Sequence, residues 1–285
     1  MSLRPADRAA VARCVAAALA EDLGLEGDIT TQAVVPASQR ARAMLVAREP
    51  MVVAGLAVAE AVFRHLDAAV AFTPRAEEGD RVESGTVVAT AEGPARALLQ
   101  GERTALNFLQ RMSGIATATR AAVDEIAGTE ATILDTRKTA PGLRALDKFA
   151  VAAGGGQNHR HGLYDAAMIK DTHLGAVGSL GAAIRACHAA GLRRESITAE
   201  VRTVEELEEA IAAGAGRALL DNMTPPALAE CVRRGKGKIV LEASGGLRPG
   251  MLAPVAKTGV DFLSLGYLTH SVRAADLAMD LEALP

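Results

Sequence analysis

Aromatic residues make up only 2% of the 285-residue chain, with no Trp, two Tyr and five Phe. A core of stacked rings is excluded, so the interior must be built from Ala, Val, Leu and Ile, which lift the apolar fraction to 49%. Cysteine is equally sparse. Cys14, Cys187 and Cys231 are far apart and form no C-x-x-C pair, which reads as small apolar thiols in a reducing compartment, without disulfides or a metal knuckle. No apolar run approaches the ~18 residues of a membrane span; the longest candidate, residues 51–62, already contains Glu60. The Arg- and Ala-rich N-terminus has no signal-peptide core and carries Asp7, Glu21 and Asp22, the pattern of an ordinary amphipathic first helix in a cytoplasmic protein. Excess positive charge is missing too, with 31 Lys and Arg against 34 Asp and Glu, so nothing suggests nucleic acid as a partner.

Against that acidic background one stretch stands out. Residues 133–174 hold Asp135, Arg137, Lys138, Asn158, His159, Arg160, His161, Lys170, Asp171 and His173 among glycines and short apolar runs. A local knot of fixed positive charge on an acidic chain fits a small polyanion.

Order along the chain supplies the frame. Val11, Cys14, Val15, Ala18 and Leu19 recur at helical spacing before Gly24. Between Arg42 and Glu92 two strand patterns, ARAMLVARE and TVVATAEG, flank a helix from about Gly55 to Leu66 and the turn-rich EEGDRVESG. Residues 95–127 read as almost continuous helix with a break near Ser113-Gly114, taken as a domain boundary. Beyond it come ATILD, AAMIK, SITAE, RALLD, KIVLE and VDFLSL, each short, apolar and followed by a polar residue or glycine, the texture of a parallel sheet crossed over by helices. Thr203 with Glu206, Gly214, and Thr224-Pro225 punctuate those helices. Glu200, Asp221, Glu242 and Ser264 recur at intervals of 21, 21 and 22 residues, the length of a minimal strand–helix unit. In an α/β barrel such strand ends converge on one mouth.

The mouth would be chemically divided. ASGG at 243–246 and SLGYLTH at 264–270 offer backbone N–H groups for a phosphate monoester. Glu200 and Asp221 can hold Mg²⁺ through water or accept hydrogen bonds from sugar hydroxyls. Arg137, Arg160 and His159, with Lys138 and Lys170, can grip carboxylates. His159-x-His161 has the spacing of zinc ligands on a strand, which leaves a zinc hydrolase as an alternative, although the surrounding cations disfavour a dication.

The segments EDLGLEGDITT, GERTALNFLQRMSGIAT, DTRKTAPGLR, GGGQNHR, MIKDTHL, AEV, LLDNM, EASGG and LGYLTHS occur in this order over nearly the whole chain. In them the chain resembles the quinolinate phosphoribosyltransferases. The resemblance implies an N-terminal α/β sandwich domain, residues 1–113, joined by residues 271–285, and an open parallel α/β barrel over residues 114–270. It implies phosphoribosyl transfer to quinolinate with decarboxylation, in NAD biosynthesis. Arg103, Arg137, Lys138, His159, Arg160 and Lys170 would then bind quinolinate, with Arg103 arriving from the other subunit of a homodimer. Glu200, Asp221, Asn222, Ser244, Gly245, Gly246, Gly266 and His270 would bind phosphoribosyl pyrophosphate. Lys138, Lys170, Glu200 and Asp221 would be catalytic, with Mg²⁺ held by Glu200 and Asp221 through water. Two positions depart from the family pattern: His161 stands for an aliphatic residue and Arg202 for an acid. A molybdate-transport-associated relative shares TRKT and HR-GL, yet lacks the IKD present here as Ile169, Lys170 and Asp171.

Overall fold

The computed structural model describes residues 5–285; residues 1–4 of the expected first domain lie outside the described residues. In chain order the first elements are α1 (Pro5–Leu23), α2 (Ile29–Val34), β1 (Arg40–Ala47), β2 (Met51–Val52), α3 (Leu56–Leu66), β3 (Ala71–Pro74), β4 (Arg81–Val82), β5 (Val87–Pro94) and α4 (Ala95–Glu125). Then follow β6 (Thr132–Leu134), α5 (Arg144–Ala153), β7 (Ala167–Ile169), α6 (Asp171–Val177), α7 (Leu180–Ala189), β8 (Ile197–Val201), α8 (Val204–Ala213), β9 (Arg217–Asp221) and α9 (Pro225–Gly235). The last are β10 (Val240–Ser244), α10 (Leu252–Ala256), β11 (Phe262–Ser264), α11 (Tyr267–His270) and β12 (Leu277–Leu284). The described residues divide into two compact units: residues 5–120, 139–155 and 268–285 form one, residues 121–138 and 156–267 the other.

The first unit is built on an antiparallel sheet of order β12-β1-β5-β3. Ala41, Ala43 and Leu45 alternate inward along β1, the period-2 pattern of a sheet with one buried face. The C-terminal residues join this sheet in full register, Arg40 opposite Leu284 through Ala47 opposite Leu277. Phe63 and Phe72 make the one stacked aromatic pair among the described residues, with ring centroids 6.3 Å apart. Leu45, Leu98, Leu106, Leu109, Met112 and Ile115 fill the rest.

The expected break at Ser113-Gly114 is not there. Helix α4 runs without interruption through both residues. Gly114 serves close approach instead: a Cβ at this position would stand 2.2 Å from the Arg273 carbonyl oxygen, so the glycine lets the returning C-terminal segment lie against the helix. Ser113 is buried, and its hydroxyl accepts from Ala54 N at 3.1 Å.

The second unit holds a six-stranded parallel sheet of order β6-β11-β10-β9-β8-β7. All six segments picked out by pattern form strands, and β6 and β7 remain the two unjoined edges, so the barrel is open. Ile133, Ile169, Ile184, Ile197, Val201, Leu220, Leu241 and Leu263 pack its interior. Thr203 accepts from Glu206 N and Gly214 closes α8 in the left-handed conformation. Only half of the capping box forms, because the Glu206 carboxylate takes Arg202 N at 2.6 Å. Parallel pairing in this register brings Ser244 beside Asp221 and Ser264, and it sets Ala199 beside Ile169. The polar ends of β7 to β11 therefore share one edge of the sheet.

Candidate functional site

At that edge lies a cavity of about 370 Å³, lined by Arg137, Lys138, His159, Arg160, Lys170, Glu200, Asp221, Asn222, Ser244, Gly245 and Gly246, together with Met168, Leu219, Glu242 and Ser264. Eleven of the fourteen expected site residues are thus in one place. Gly266 sits in the turn after β11, outside the lining. Arg103 and His270 belong to the first unit, both exposed, with His270 Nδ1 2.6 Å from the Ser271 hydroxyl.

The cationic wall comes from the loops after β6 and before β7. Arg160 Nη1 donates to Ala166 O at 2.7 Å, which anchors a guanidinium that lines the cavity. Burial lowers the Arg160 pKa and the neighbouring Arg137 lowers it further, the signature of two like charges held together. Arg137 Nε is buried without a hydrogen-bond partner among the described residues. Such an orphan donor costs about 1–3 kcal/mol until an acceptor reaches it, and a carboxylate would satisfy both guanidinium groups at once.

Beneath this wall His159 is tied on three sides. Its backbone N donates to the buried Asp135 Oδ1 at 2.8 Å. Its Nδ1 accepts from Arg160 N at 2.7 Å, so the proton sits on Nε2, 3.3 Å from Glu242 Oε2. Glu242 is fully buried and also receives Arg217 Nη1 at 2.9 Å. Burial pushes the Glu242 carboxyl up, but His159 and Arg217 outweigh it and hold it below the ordinary range. With Nδ1 taken by Arg160 N and Nε2 directed at the buried Glu242, and with His161 outside the cavity lining, His159 and His161 do not converge as a zinc donor pair.

The acidic wall is formed by Glu200 and Asp221 on neighbouring strands. Burial raises the Glu200 pKa, Lys170 opposes that rise, and Asp221 and Asp171 add to it. Lys170 Nζ lies 3.7 Å from Glu200 Oε2. Arg202 bridges the same acids, reaching Asp171 at 2.9 Å, Asp221 at 3.3 Å and Glu200 at 3.6 Å. No group of three or more His, Cys, Asp or Glu able to hold a metal occurs among the described residues. Two carboxylates with hard oxygens fit a Mg²⁺ that keeps its waters and brings phosphate ligands of its own.

The third wall is a glycine cradle. Gly245 and Gly246 adopt φ of +90° and +64°, and a Cβ on Gly245 would stand 2.4 Å from Asn222 Oδ1. Asn222 is the one non-glycine residue with positive φ (54°) among the described residues, and its N donates to Ser244 O at 2.9 Å. Strain of this kind persists where the surroundings over-determine it.

Residues 28–113 match the family model of the quinolinate phosphoribosyl transferase N-terminal domain, and residues 115–280 that of its C-terminal domain. The chain belongs to the quinolinate phosphoribosyltransferase family. It is 46% identical over 269 residues to a nicotinate-nucleotide pyrophosphorylase (carboxylating) of Mycobacterium leprae, covering 93% of this chain and 94% of that one. It is 44% identical over 261 residues to a probable nicotinate-nucleotide pyrophosphorylase (carboxylating) of Bacillus subtilis, covering 92% and 90%. The crystal structure of NadC from Streptococcus pyogenes superposes with a TM-score of 0.93 at 37% identity over the full length of both chains. Within this quinolinate phosphoribosyltransferase, three participants had no assigned role from sequence. In the sequence Glu242 reads only as a strand end, although it lies in the middle of β10, and Arg202 only as a departure. Arg217 at the start of β9 gave no signal, because an Arg opening a strand reads as a solvated terminus.

Proposed function

We propose that this enzyme transfers the phosphoribosyl group of phosphoribosyl pyrophosphate to quinolinate and decarboxylates the product, giving nicotinate mononucleotide, pyrophosphate and CO₂. One observation carries the reading: two mutually repelling guanidinium groups, one with a buried unpartnered Nε, face the same cavity as an acid pair and a glycine cradle. A dicarboxylate, a ribose and a 5′-phosphate each find a matching wall.

Arg137 and Arg160, with Lys138, take the quinolinate carboxylates; His159 steadies Arg160. Glu200 and Asp221 accept hydrogen bonds from the ribose hydroxyls, and Ser244, Gly245 and Gly246 with Asn222 receive the 5′-phosphate. Glu200 and Asp221 would hold Mg²⁺ through water, and the ion would supply neutralisation of the diphosphate charge. The anomeric C–O bond breaks with its electron pair on the diphosphate, where Lys170 stabilises the charge, and the pyridine nitrogen forms the new C–N bond. The quaternised nitrogen then accepts electron density as the adjacent carboxylate departs as CO₂. The pair left on the ring carbon, stabilised by the cationic wall, takes up a proton.

The enzyme works as a homodimer in which Arg103 of the partner subunit completes the site. Exposed Leu163, Tyr164, Val177 and Leu192 on the second unit support a covered face, and Arg103 is exposed on α4. No described helix is long and apolar enough to cross a membrane; the three free cysteines suit a reducing compartment, and we place this enzyme of NAD biosynthesis in the cytoplasm.

The deciding experiment is release of labelled CO₂ from carboxyl-labelled quinolinate with phosphoribosyl pyrophosphate and Mg²⁺, with mass detection of the nucleotide. Turnover of nicotinate without turnover of quinolinate would overturn the carboxylate assignments. Silence with both would favour the molybdate-associated alternative.

A further inference from the structure

Arg202 is engaged more heavily than any mechanism above requires. Its guanidinium contacts three carboxylates from three elements, Asp171 at the start of α6, Glu200 on β8 and Asp221 ending β9. Its side chain is nevertheless about half exposed, at 54%. The pair with Asp171, itself 54% exposed, is individually weak, whereas Glu200 and Asp221 are only 12% and 17% exposed, so the guanidinium leaves Asp171 most cheaply.

Strand order fixes what lies on either side. Along the sheet the cradle at Gly245 follows β10, the acids close β9 and β8, and Lys170 follows β7. A phosphoribosyl pyrophosphate with its 5′-phosphate in the cradle and its ribose on the acids therefore directs its diphosphate toward β7. Three carboxylates gather there, with Lys170 and Arg202 as their cationic contacts. Without Arg202 that rim would carry an excess of negative charge facing a polyanion.

We infer that Arg202 is a substrate-binding residue for the diphosphate, kept at the rim by Asp171, Asp221 and Glu200 and handed to the phosphate oxygens when the substrate enters. This rests on the reading of the site as one for phosphoribosyl pyrophosphate. Exchange replaces the carboxylate contacts by charge-assisted hydrogen bonds to phosphate, for which a guanidinium fork is well shaped. The acids released by the exchange are then available to the ribose hydroxyls.

The test is isothermal titration of inorganic pyrophosphate, of phosphoribosyl pyrophosphate and, separately, of quinolinate into wild type, Arg202→Ala and Arg202→Lys at fixed Mg²⁺, with a melting scan of each. Loss of a charge-assisted contact should weaken pyrophosphate and phosphoribosyl pyrophosphate by about ten- to a hundredfold in Arg202→Ala. Arg202→Lys should restore part of that loss, and quinolinate affinity should stay within about twofold in both. Unchanged pyrophosphate affinity in Arg202→Ala overturns the inference. So does a fall shared equally by quinolinate and accompanied by a lower melting temperature, the mark of a purely structural staple. Absence of binding by wild type itself to either phosphate compound would instead overturn the reading of the whole site, and the inference with it.

Discussion

Removing Glu242 should damage both stability and substrate binding, and the structure gives the size. Its carboxylate is fully buried, with Arg217 Nη1 at 2.9 Å and His159 Nε2 at 3.3 Å. Breaking a buried ion pair by deleting one partner costs about 3–5 kcal/mol. Arg217 is a quarter exposed and stacks over Phe262 at 4.7 Å, so part of its charge can be rehydrated, and the expected loss for Glu242→Ala is about 2–4 kcal/mol. With roughly 3–4 °C per kcal/mol for a unit of this size, calorimetry at pH 7 should show the transition lowered by about 6–16 °C. Glu242→Gln keeps the shape and loses the charge, and should fall by about half as much. The double change Glu242→Leu with Arg217→Met should recover much of the alanine loss, because an apolar pair of similar volume often matches a buried ion pair. Quinolinate affinity should drop in Glu242→Ala, since His159 Nδ1 holds Arg160 N. Melting within about 2 °C of wild type for both single variants, or a double variant no better than Glu242→Ala, would refute this account.

Arg137→Ala should leave the melting temperature within about 2 °C of wild type while weakening quinolinate binding by about a hundredfold, the loss of a bidentate charged contact, measured by calorimetric titration. Gly245→Ala should abolish tight binding of phosphoribosyl pyrophosphate, because its methyl would stand 2.4 Å from Asn222 Oδ1 at a φ of +90°; wild-type affinity would remove the cradle from the assignment. Glu78 accepts Gly55 N at 2.7 Å at the start of α3, where Gly55 itself has no side chain to cap with. Burial raises its pKa, against the opposing pull of backbone N–H groups from Gly55, Ala57 and Leu56. A raised folded-state pKa means stability present below the ordinary glutamate range and lost as pH rises through the higher value. The advantage of wild type over Glu78→Gln in thermal melts should therefore be greatest in acid and shrink toward pH 7.

What could be read in advance, and what could not, follows from the range of the interactions involved. The six strands of the second unit were legible because each is a short apolar run whose polar terminus points to the same edge, and parallel pairing then leaves one arrangement of Glu200, Asp221 and Ser244. Arg137, Arg160 and Lys170 were legible because charge that dense has few uses other than an anion. The continuity of α4 was not, since Ser113-Gly114 weakens a helix locally and its reason lies about 160 residues away, at the Arg273 carbonyl. Glu242 and Arg217 were hidden in the same way: each looks like a solvated strand end, and only the register of β9 against β10 shows that one carboxylate serves both Arg217 and His159. Arg202 could be seen as a departure, but a substitution of sign at one position has no content until its neighbours are known. Here the neighbours are three carboxylates, and that makes the departure intelligible. On the proposed assignment a cation at this rim would offset the acid pair on the side from which a diphosphate enters, so the charge reversal would alter how the site is neutralised.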